Sequence, residues 1–267
     1  MFVNAESYER FMGRWSRRIA VRFLEFSAMP DEGLILDLGA GTGSLSFEIV
    51  QRKARAFVAG VDPSKEYIAY AKRMNRNLER AAFAIGDAQL LPFAGATFAA
   101  TVSLLVFNFI PDPLKAIQEA FRVTSPGGTI AAAVWDYGGS MRMLRTFWDS
   151  ASTIDEHARR LDEAHMPLCR SGELAELWKV AGLENVRAQP LEIEMKFETF
   201  EDYWNPFLLG QGPAGAFVSR LDAAALLRLK GEVKRRLSLA ADDVSFALPA
   251  RAWGVRGTVP LARGANI

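Results

Sequence analysis

A glycine-rich segment is the first place in the sequence where residue types and spacing suggest chemistry. Residues 36–43 read Leu-Asp-Leu-Gly-Ala-Gly-Thr-Gly, where an apolar run ends and a helical pattern begins. Glycines let the backbone approach a ligand closely, and the N-terminus of the following helix offers free N–H groups with partial positive charge. The segment therefore predicts a ligand-binding loop. A single G-x-G does not identify the ligand, because nicotinamide-dependent enzymes use one too.

Two residues of this segment argue against a dinucleotide. A dinucleotide site needs a third glycine so that helix and strand can pack around the pyrophosphate, and Ser44 stands at that position. Asp37, two residues before the first glycine, would repel a pyrophosphate, although it could order the glycine loop or attract an ammonium group. An NAD(P)-binding oxidoreductase is therefore the less favoured interpretation.

Two further carboxylates follow strand-like segments. Asp62 ends the second strand pattern, where it can accept hydrogen bonds from two ribose hydroxyls. Asp87 ends the third, where it can accept from an exocyclic amine while the N–H of Ala88 donates to a ring nitrogen. Because open α/β sheets bind ligands at the carboxyl ends of their parallel strands, we expect these groups to share one site.

Alternating strands and helices must position these residues. Strand patterns cover residues 34–38, 57–61, 82–85, 97–106 and 129–135, with helical patterns between them. This alternation is typical of a doubly wound, mainly parallel α/β sheet covered on both faces. We expect a single domain with a lid. Its parts are a leading amphipathic helix (residues 1–30), a cofactor-binding core (residues 31–135), two helical lid insertions (residues 136–170 and 200–240) and the remainder of the sheet (residues 171–199 and 241–267).

Composition excludes several classes of protein. The 267 residues carry a formal net charge of +1, which argues against nucleic-acid binding, because that needs excess cationic charge to displace counterions. Cys169 is the only cysteine, so we expect no disulfide, no cysteine-based zinc site and no other metal. The opening residues lack the apolar run of a secretory signal, and the longest apolar stretch, residues 98–110, is too short to span a bilayer. We expect a cytoplasmic protein with no membrane partner.

Four segments taken together resemble a known family. LDLGAGTG, GVDPS, GDAQLLPF and SPGGTIAAAVW occur in this order and at this spacing in the class I S-adenosylmethionine-dependent methyltransferases. The closest similarity is to the small-molecule branch that includes the ubiquinone-biosynthesis methyltransferases, and it covers residues 33–135. The resemblance implies a Rossmann-like seven-stranded sheet whose last strand, near residues 252–259, is antiparallel. It also implies S-adenosylmethionine as the cofactor and S-adenosylhomocysteine as the product.

The resemblance implies a role for individual positions of this chain. The methionine moiety would meet Asp37, Gly39, Ala40 and Gly41, and the ribose would meet Asp62, Pro63 and Ser64. The adenine would meet Asp87 and Ala88, and the sulfonium would lie over Leu104 and Leu105. Tyr8 and Trp15 of the leading helix would cover the cofactor.

The methyl acceptor is less well defined by the sequence. The DNA amino-methyltransferases resemble one another in an Asn/Asp-Pro-Pro-aromatic tetrapeptide after the fourth strand, and residues 107–111 lack it. Aromatic and methionine residues of the predicted lid suit an enclosed pocket for a small, partly apolar acceptor. An apolar face on residues 200–240 would equally suit a homodimer contact.

No catalytic residue is assigned by the sequence. The weak candidates are Asp136 and Tyr137 after the fifth strand, and the two histidines of the lid, His157 and His165. We expect a methyltransferase that moves a methyl group to a small organic acceptor by in-line displacement. A non-catalytic S-adenosylmethionine-binding module is the alternative that stays open.

Overall fold

The sheet has the predicted α/β architecture. A computed structural model describes residues 4–75, 79–239, 241 and 243–261. Its seven strands within these ranges are β1 Glu32–Leu38, β2 Arg55–Asp62, β3 Ala81–Ile85, β4 Phe98–Leu104, β5 Thr124–Trp135, β6 Glu184–Phe197 and β7 Phe246–Thr258. They lie in the order β3-β2-β1-β4-β5-β7-β6, and β7 runs antiparallel to both of its neighbours. The expected doubly wound sheet with an antiparallel last strand is confirmed.

Helices cover both faces of the sheet. In chain order they are α1 Ala5–Tyr8, α2 Arg14–Ser27, α3 Ser44–Arg52, α4 Lys65–Met74, α5 Pro113–Val123, α6 Arg142–Ile154, α7 Ala158–Leu161, α8 Glu173–Val180, α9 Phe200–Trp204, α10 Gly212–Val218 and α11 Ala223–Leu237. The start of α5 follows from its sequence, because the Asp112 side chain accepts from the Lys115 N–H and Pro113 takes the first helical position.

The centre of the sheet is where the chain changes direction. β1 pairs in parallel with β2 on one side and with β4 on the other. The crossovers on the two sides of β1 run in opposite directions, which opens a crevice at the carboxyl end of this strand. Ile35, Leu36 and Leu38 are fully buried in β1, as expected for a strand covered on both faces. The glycine-rich loop therefore lies at the switch point of the sheet.

The leading segment is helical but not one regular helix. A π-helical turn, Glu9–Gly13, joins α1 to α2. α2 buries its apolar stripe, including Trp15, Ile19 and Phe23, against the sheet and α3. Residues 1–3 of the predicted leading segment, like residues 242 and 262–267 of the predicted last segment, lie outside the described residues.

Both segments predicted to form a lid are helical within the described residues. α6 and α11 pack together, and the rings of Phe147 and Phe207 stack with centroids 4.5 Å apart. The Tyr203 hydroxyl donates to the carbonyl of Met143 at 2.8 Å, which joins the second segment to the first. The two segments thus form one aromatic layer, while their action as a lid stays a prediction.

Candidate functional site

A cavity of about 370 Å³ opens at the carboxyl edge of the sheet. Its size is within the range of small-molecule and cofactor sites. Most residues that the sequence singled out for the cofactor line it: Tyr8, Asp37, Gly39, Ala40, Gly41, Asp62, Pro63, Asp87, Ala88, Leu104 and Leu105. Strand ends that are far apart in the sequence thus meet in one cavity.

The glycine loop has a backbone that few other residues could adopt. Gly39 has a φ of +78°, and a Cβ added there would lie 2.5 Å from the Val106 methyl carbons. The N–H groups of Gly39 and Ala40 both donate to the Val61 carbonyl, at 2.7 and 3.0 Å. The loop therefore closes tightly onto β2, and a side chain at Gly39 would collide with Val106, which also lines the cavity.

Asp62 fixes the same loop from β2. Its Oδ2 atom accepts from the Gly41 N–H at 3.0 Å, and Oδ1 accepts from the Ser64 N–H at 2.8 Å. Burial raises the pKa of this carboxyl, and the two backbone donors oppose that shift. Because each carboxylate oxygen has a further lone pair, Asp62 can still accept from two hydroxyl groups of a ligand.

Asp37 is a buried carboxyl with one atom unsatisfied. Its Oδ2 accepts from the Ser46 hydroxyl at 2.6 Å, whereas Oδ1 has no hydrogen-bond partner among the described residues. Burial raises the pKa of Asp37 to about 7. The Ser44 and Tyr67 hydroxyls, which also line the cavity, are likewise buried without a partner in the described part of the chain. Unsatisfied polar atoms around one cavity indicate a polar ligand.

Asp87 offers a different kind of carboxylate. It is exposed and accepts from the backbone and side-chain N–H groups of Gln89, at 2.8 and 3.1 Å. These hydrogen bonds lower its pKa, so it is ionised at neutral pH. At the end of β3, this carboxylate can accept from an amine at the outer end of the cavity.

The end of β4 forms an apolar part of the wall. Leu104 and Leu105 are mostly buried, and Leu105 has a φ of +64°, in the left-handed region. Its N–H donates to the Ala133 carbonyl at 2.7 Å, which holds this strained residue against β5. Both leucines line the cavity, so this strained strand end forms part of its wall.

Two of the predicted cofactor residues do not line the cavity. Trp15 is only 1% exposed and packs in the core, with its ring 5.2 Å from that of Phe197, because the apolar stripe of α2 faces the sheet. Ser64 caps α4 by accepting from the Tyr67 N–H. Tyr8 does line the cavity, where its ring lies 5.4 Å from that of Tyr67.

Among the weak catalytic candidates, only Tyr137 reaches the cavity. His157 is exposed and pairs with Asp155 at 3.0 Å, and His165 is also exposed. Asp136 is buried beside the cavity and accepts from the Ser140 N–H at 3.0 Å, so it orders its own turn. The sequence could not exclude these three, because the direction of a loop side chain depends on tertiary packing.

Sequence reasoning missed Glu163 altogether. This residue lies in a short 3₁₀ turn of the first predicted lid segment, is 5% exposed, and lines the cavity. Phe11 and Met12 of the π-helical turn also line it. The apolar periodicity at residues 8–26 could have indicated these two, whereas an isolated Glu in a loop gives no signal of burial.

The described residues hold no group of three or more His, Cys, Asp or Glu side chains that could bind a metal ion. Within the same ranges, no helix has the length and apolar character needed to cross a bilayer.

The strand order and the carboxylates at successive strand ends define the class: this is the fold of the class I S-adenosylmethionine-dependent methyltransferases. Residues 31–180 match the family model described as "Methyltransferase domain", and the chain belongs to that family. The cofactor of this class is S-adenosylmethionine. The unsatisfied acceptor atom of Asp37 and the glycine-lined cavity fit this cationic ligand.

Relatives and solved structures agree with the family. The chain is 36% identical over 119 residues to demethylmenaquinone methyltransferase of Thermus thermophilus, covering 44% of this chain and 52% of that protein. It is 27% identical over 166 residues to malonyl-[acyl-carrier protein] O-methyltransferase of Geobacter sulfurreducens, covering 58% and 62% of the two chains. The chain thus spans about half the length of the curated relatives it matches.

Several solved structures cover nearly the whole chain. Phosphoethanolamine N-methyltransferase 2 of Haemonchus contortus superposes with a TM-score of 0.61 at 18% identity, covering 96% of this chain and 56% of that one. At this identity the match shows the shared fold.

Proposed function

We propose that this chain transfers a methyl group from S-adenosylmethionine to a small, partly apolar acceptor by in-line displacement. One observation carries the proposal: a single cavity runs along the sheet edge from the carboxylates Asp87, Asp62 and Asp37 to an apolar wall at the ends of β4 and β5. The polar end suits a nucleoside and an amino-acid moiety. The apolar end suits an acceptor placed beside the reacting methyl group.

The residues of the polar end would hold and orient the cofactor. Asp62 accepts from the ribose hydroxyls while it keeps the Gly41 N–H in place. Asp37 accepts from the ammonium group, which gives its Oδ1 atom a partner. When bound, the cofactor supplies a methyl group on a positively charged sulfur that is already activated for transfer. The protein then contributes mainly alignment and the exclusion of water.

The apolar end supports a small acceptor. Trp135, Tyr137 and Leu144 form this part of the wall, and all three are buried. Phe11 and Met12 of the leading segment line the cavity as well. Apolar walls with a few polar groups are typical of sites that enclose small ligands. The relatives' names give different acceptors for those proteins and so do not point to a single class of acceptor.

Substitution of Asp62 tests the cofactor assignment. We expect Asp62→Ala to weaken S-adenosylmethionine binding by roughly 1–3 kcal/mol, because hydrogen bonds to a charged group are lost. Calorimetric titration measures the change. Asp155→Ala is the matched control, since this carboxylate pairs with His157 at the surface, and its affinity should equal that of the wild type. An Asp62→Ala variant that is folded and binds with unchanged affinity would sink the assignment.

A further inference from the structure

A buried carboxylate lines the cavity near the ends of β4 and β5, away from the carboxylates proposed to hold the cofactor. Glu163 is 5% exposed and lines the cavity together with Trp135, Tyr137 and Leu144. Burying a carboxylate is costly unless it is hydrogen-bonded or serves a ligand. The hydrogen-bond partners of Glu163 therefore indicate whether this carboxylate can serve a ligand.

The position of Glu163 is fixed from α6. The Trp148 indole N–H donates to Oε2 of Glu163, and Arg145, three residues earlier on the same helix face, pairs with Asp162. Asp162 Oδ1 also accepts from the Ala164 N–H at 2.8 Å and so caps the turn. The indole uses Oε2 of the carboxylate, so Oε1 can accept from a second donor.

The turn that carries Glu163 packs against the ends of β4 and β5. Asn108, just after β4, contacts the Met166 sulfur through Nδ2 at 3.4 Å. Gly138, just after β5, lies so close to Ala164 that an added Cβ would be 3.2 Å from its carbonyl oxygen. In the sheet order β3-β2-β1-β4-β5, this end is opposite the β3 end that carries Asp87. Glu163 is thus placed at the acceptor side of the cavity.

We propose that Glu163 is the general base of the reaction and that the acceptor is a small, largely apolar compound bearing an ionisable hydroxyl group. This inference rests on the proposed methyl transfer. The acceptor O–H bond breaks as its proton passes to Glu163, and the oxygen electron pair forms the bond to the methyl carbon. The carbon–sulfur bond breaks, and its electron pair leaves with the sulfur as the neutral thioether. The apolar wall suits an apolar body, and the carboxylate of Glu163 suits the hydroxyl.

The electrostatics of the turn suit a base at neutral pH. Burial is the main reason that the pKa of Glu163 is raised to about 7, and the negative charge of Asp162 adds to this increase. The hydrogen bond from Trp148 and the positive charge of Arg145 oppose it. Tyr137 faces the carboxylate from the end of β5, and burial raises its pKa well above the usual value, so its hydroxyl stays protonated. General bases work best with a pKa near the operating pH.

Binding of a hydroxyl-bearing probe and its parent hydrocarbon tests the inference without turnover. The protein is saturated with S-adenosylhomocysteine and titrated with β-naphthol or naphthalene by fluorescence. At about pH 8 we expect wild type to bind β-naphthol about 10-fold more tightly than naphthalene, because the carboxylate accepts from the hydroxyl. The preference should fall as the pH drops through about 7, where Glu163 becomes protonated.

Two variants separate this role from a structural one. Glu163→Gln can still accept from Trp148 but cannot ionise, so we expect it to bind S-adenosylhomocysteine and naphthalene as wild type does, with a preference for β-naphthol that is smaller and independent of pH. Trp148→Phe removes the donor that lowers the Glu163 pKa, so the pH midpoint of the preference should move upward.

Three results would overturn the inference: no β-naphthol binding by wild-type protein that binds S-adenosylhomocysteine, an equal preference in Glu163→Gln, or a wild-type preference independent of pH. Failure to bind S-adenosylhomocysteine would instead contradict the proposed function, and this inference would fall with it.

Discussion

At the residue scale, Asp37 is placed to make cofactor binding depend on pH. Burial raises its pKa to about 7, so below that pH it holds a proton that it must lose before it can accept from the ammonium group that we propose it binds. We therefore expect S-adenosylmethionine affinity to rise with pH through about 7 and Asp37→Asn to flatten that dependence. Calorimetric titration at several pH values checks this, and a wild-type affinity independent of pH would contradict it.

The raised pKa of Asp37 also affects the free energy of unfolding. A carboxyl whose pKa is higher in the folded state binds its proton more tightly there, so the free energy of unfolding falls as pH rises from about 4 to about 7. The Asp37 contribution to that fall is roughly 2–4 kcal/mol. Urea denaturation of Asp37→Asn should show a shallower fall than wild type. Glu163→Gln, measured in parallel, reports the separate contribution of the other buried carboxyl whose pKa is raised to about 7.

Residues at strand ends were predictable because their place in the chain decides their place in the cavity. Asp62 and Asp37 line the cavity as their positions on β2 and β1 require. Trp15 and Glu163 were not predictable in this way. The burial of Trp15 depends on which face of α2 meets the sheet, and that of Glu163 depends on how a loop packs between α6 and β5.

At the element scale, the glycine loop is where backbone geometry limits the sequence most. We expect Gly39→Ala to abolish detectable S-adenosylmethionine binding and to destabilise the fold by roughly 1–3 kcal/mol, because a Cβ at a φ of +78° would meet Val106 at 2.5 Å. Calorimetry and thermal unfolding measure the two effects.

Gly231 provides the matched control for that substitution. It lies in α11, and a Cβ added there meets nothing within 4 Å. Gly231→Ala should stabilise the protein by roughly 0.5–1 kcal/mol, because alanine is the better helix former. Equal effects of the two substitutions would contradict the argument from loop geometry.

The leading segment shows what periodicity cannot predict about an element. Its apolar spacing predicts a helix, and α2 confirms it, but the π-helical turn Glu9–Gly13 leaves no pattern in the sequence. That turn brings Glu9 to the glycine loop, where it accepts from the Thr42 hydroxyl at 2.6 Å. The contact between leading segment and loop thus depends on an irregularity that only tertiary packing specifies.

At the scale of the whole molecule, alternating strands and helices predicted the layers, and the resemblance supplied the number of strands and the antiparallel last strand, whereas the strand order comes from the structure. Five strand patterns correspond to β1–β5, with ends that differ by a few residues. β7 begins at Phe246, earlier than the last strand predicted near residues 252–259, because it pairs with β6 along its whole length near the edge of the sheet. The packing of the two helical segments into one aromatic layer was not predictable, since it joins residues about 60 apart, as in the Tyr203–Met143 contact.

The central claim is that the cavity at the carboxyl edge of the sheet binds the cofactor of methyl transfer. Calorimetric titration of the folded protein with S-adenosylmethionine, S-adenosylhomocysteine and NAD tests it most directly. We predict that the first two bind with dissociation constants in the micromolar range and that NAD gives no response, because Ser44 stands where a dinucleotide site needs glycine. Binding of NAD, or of neither sulfur compound, would contradict the claim.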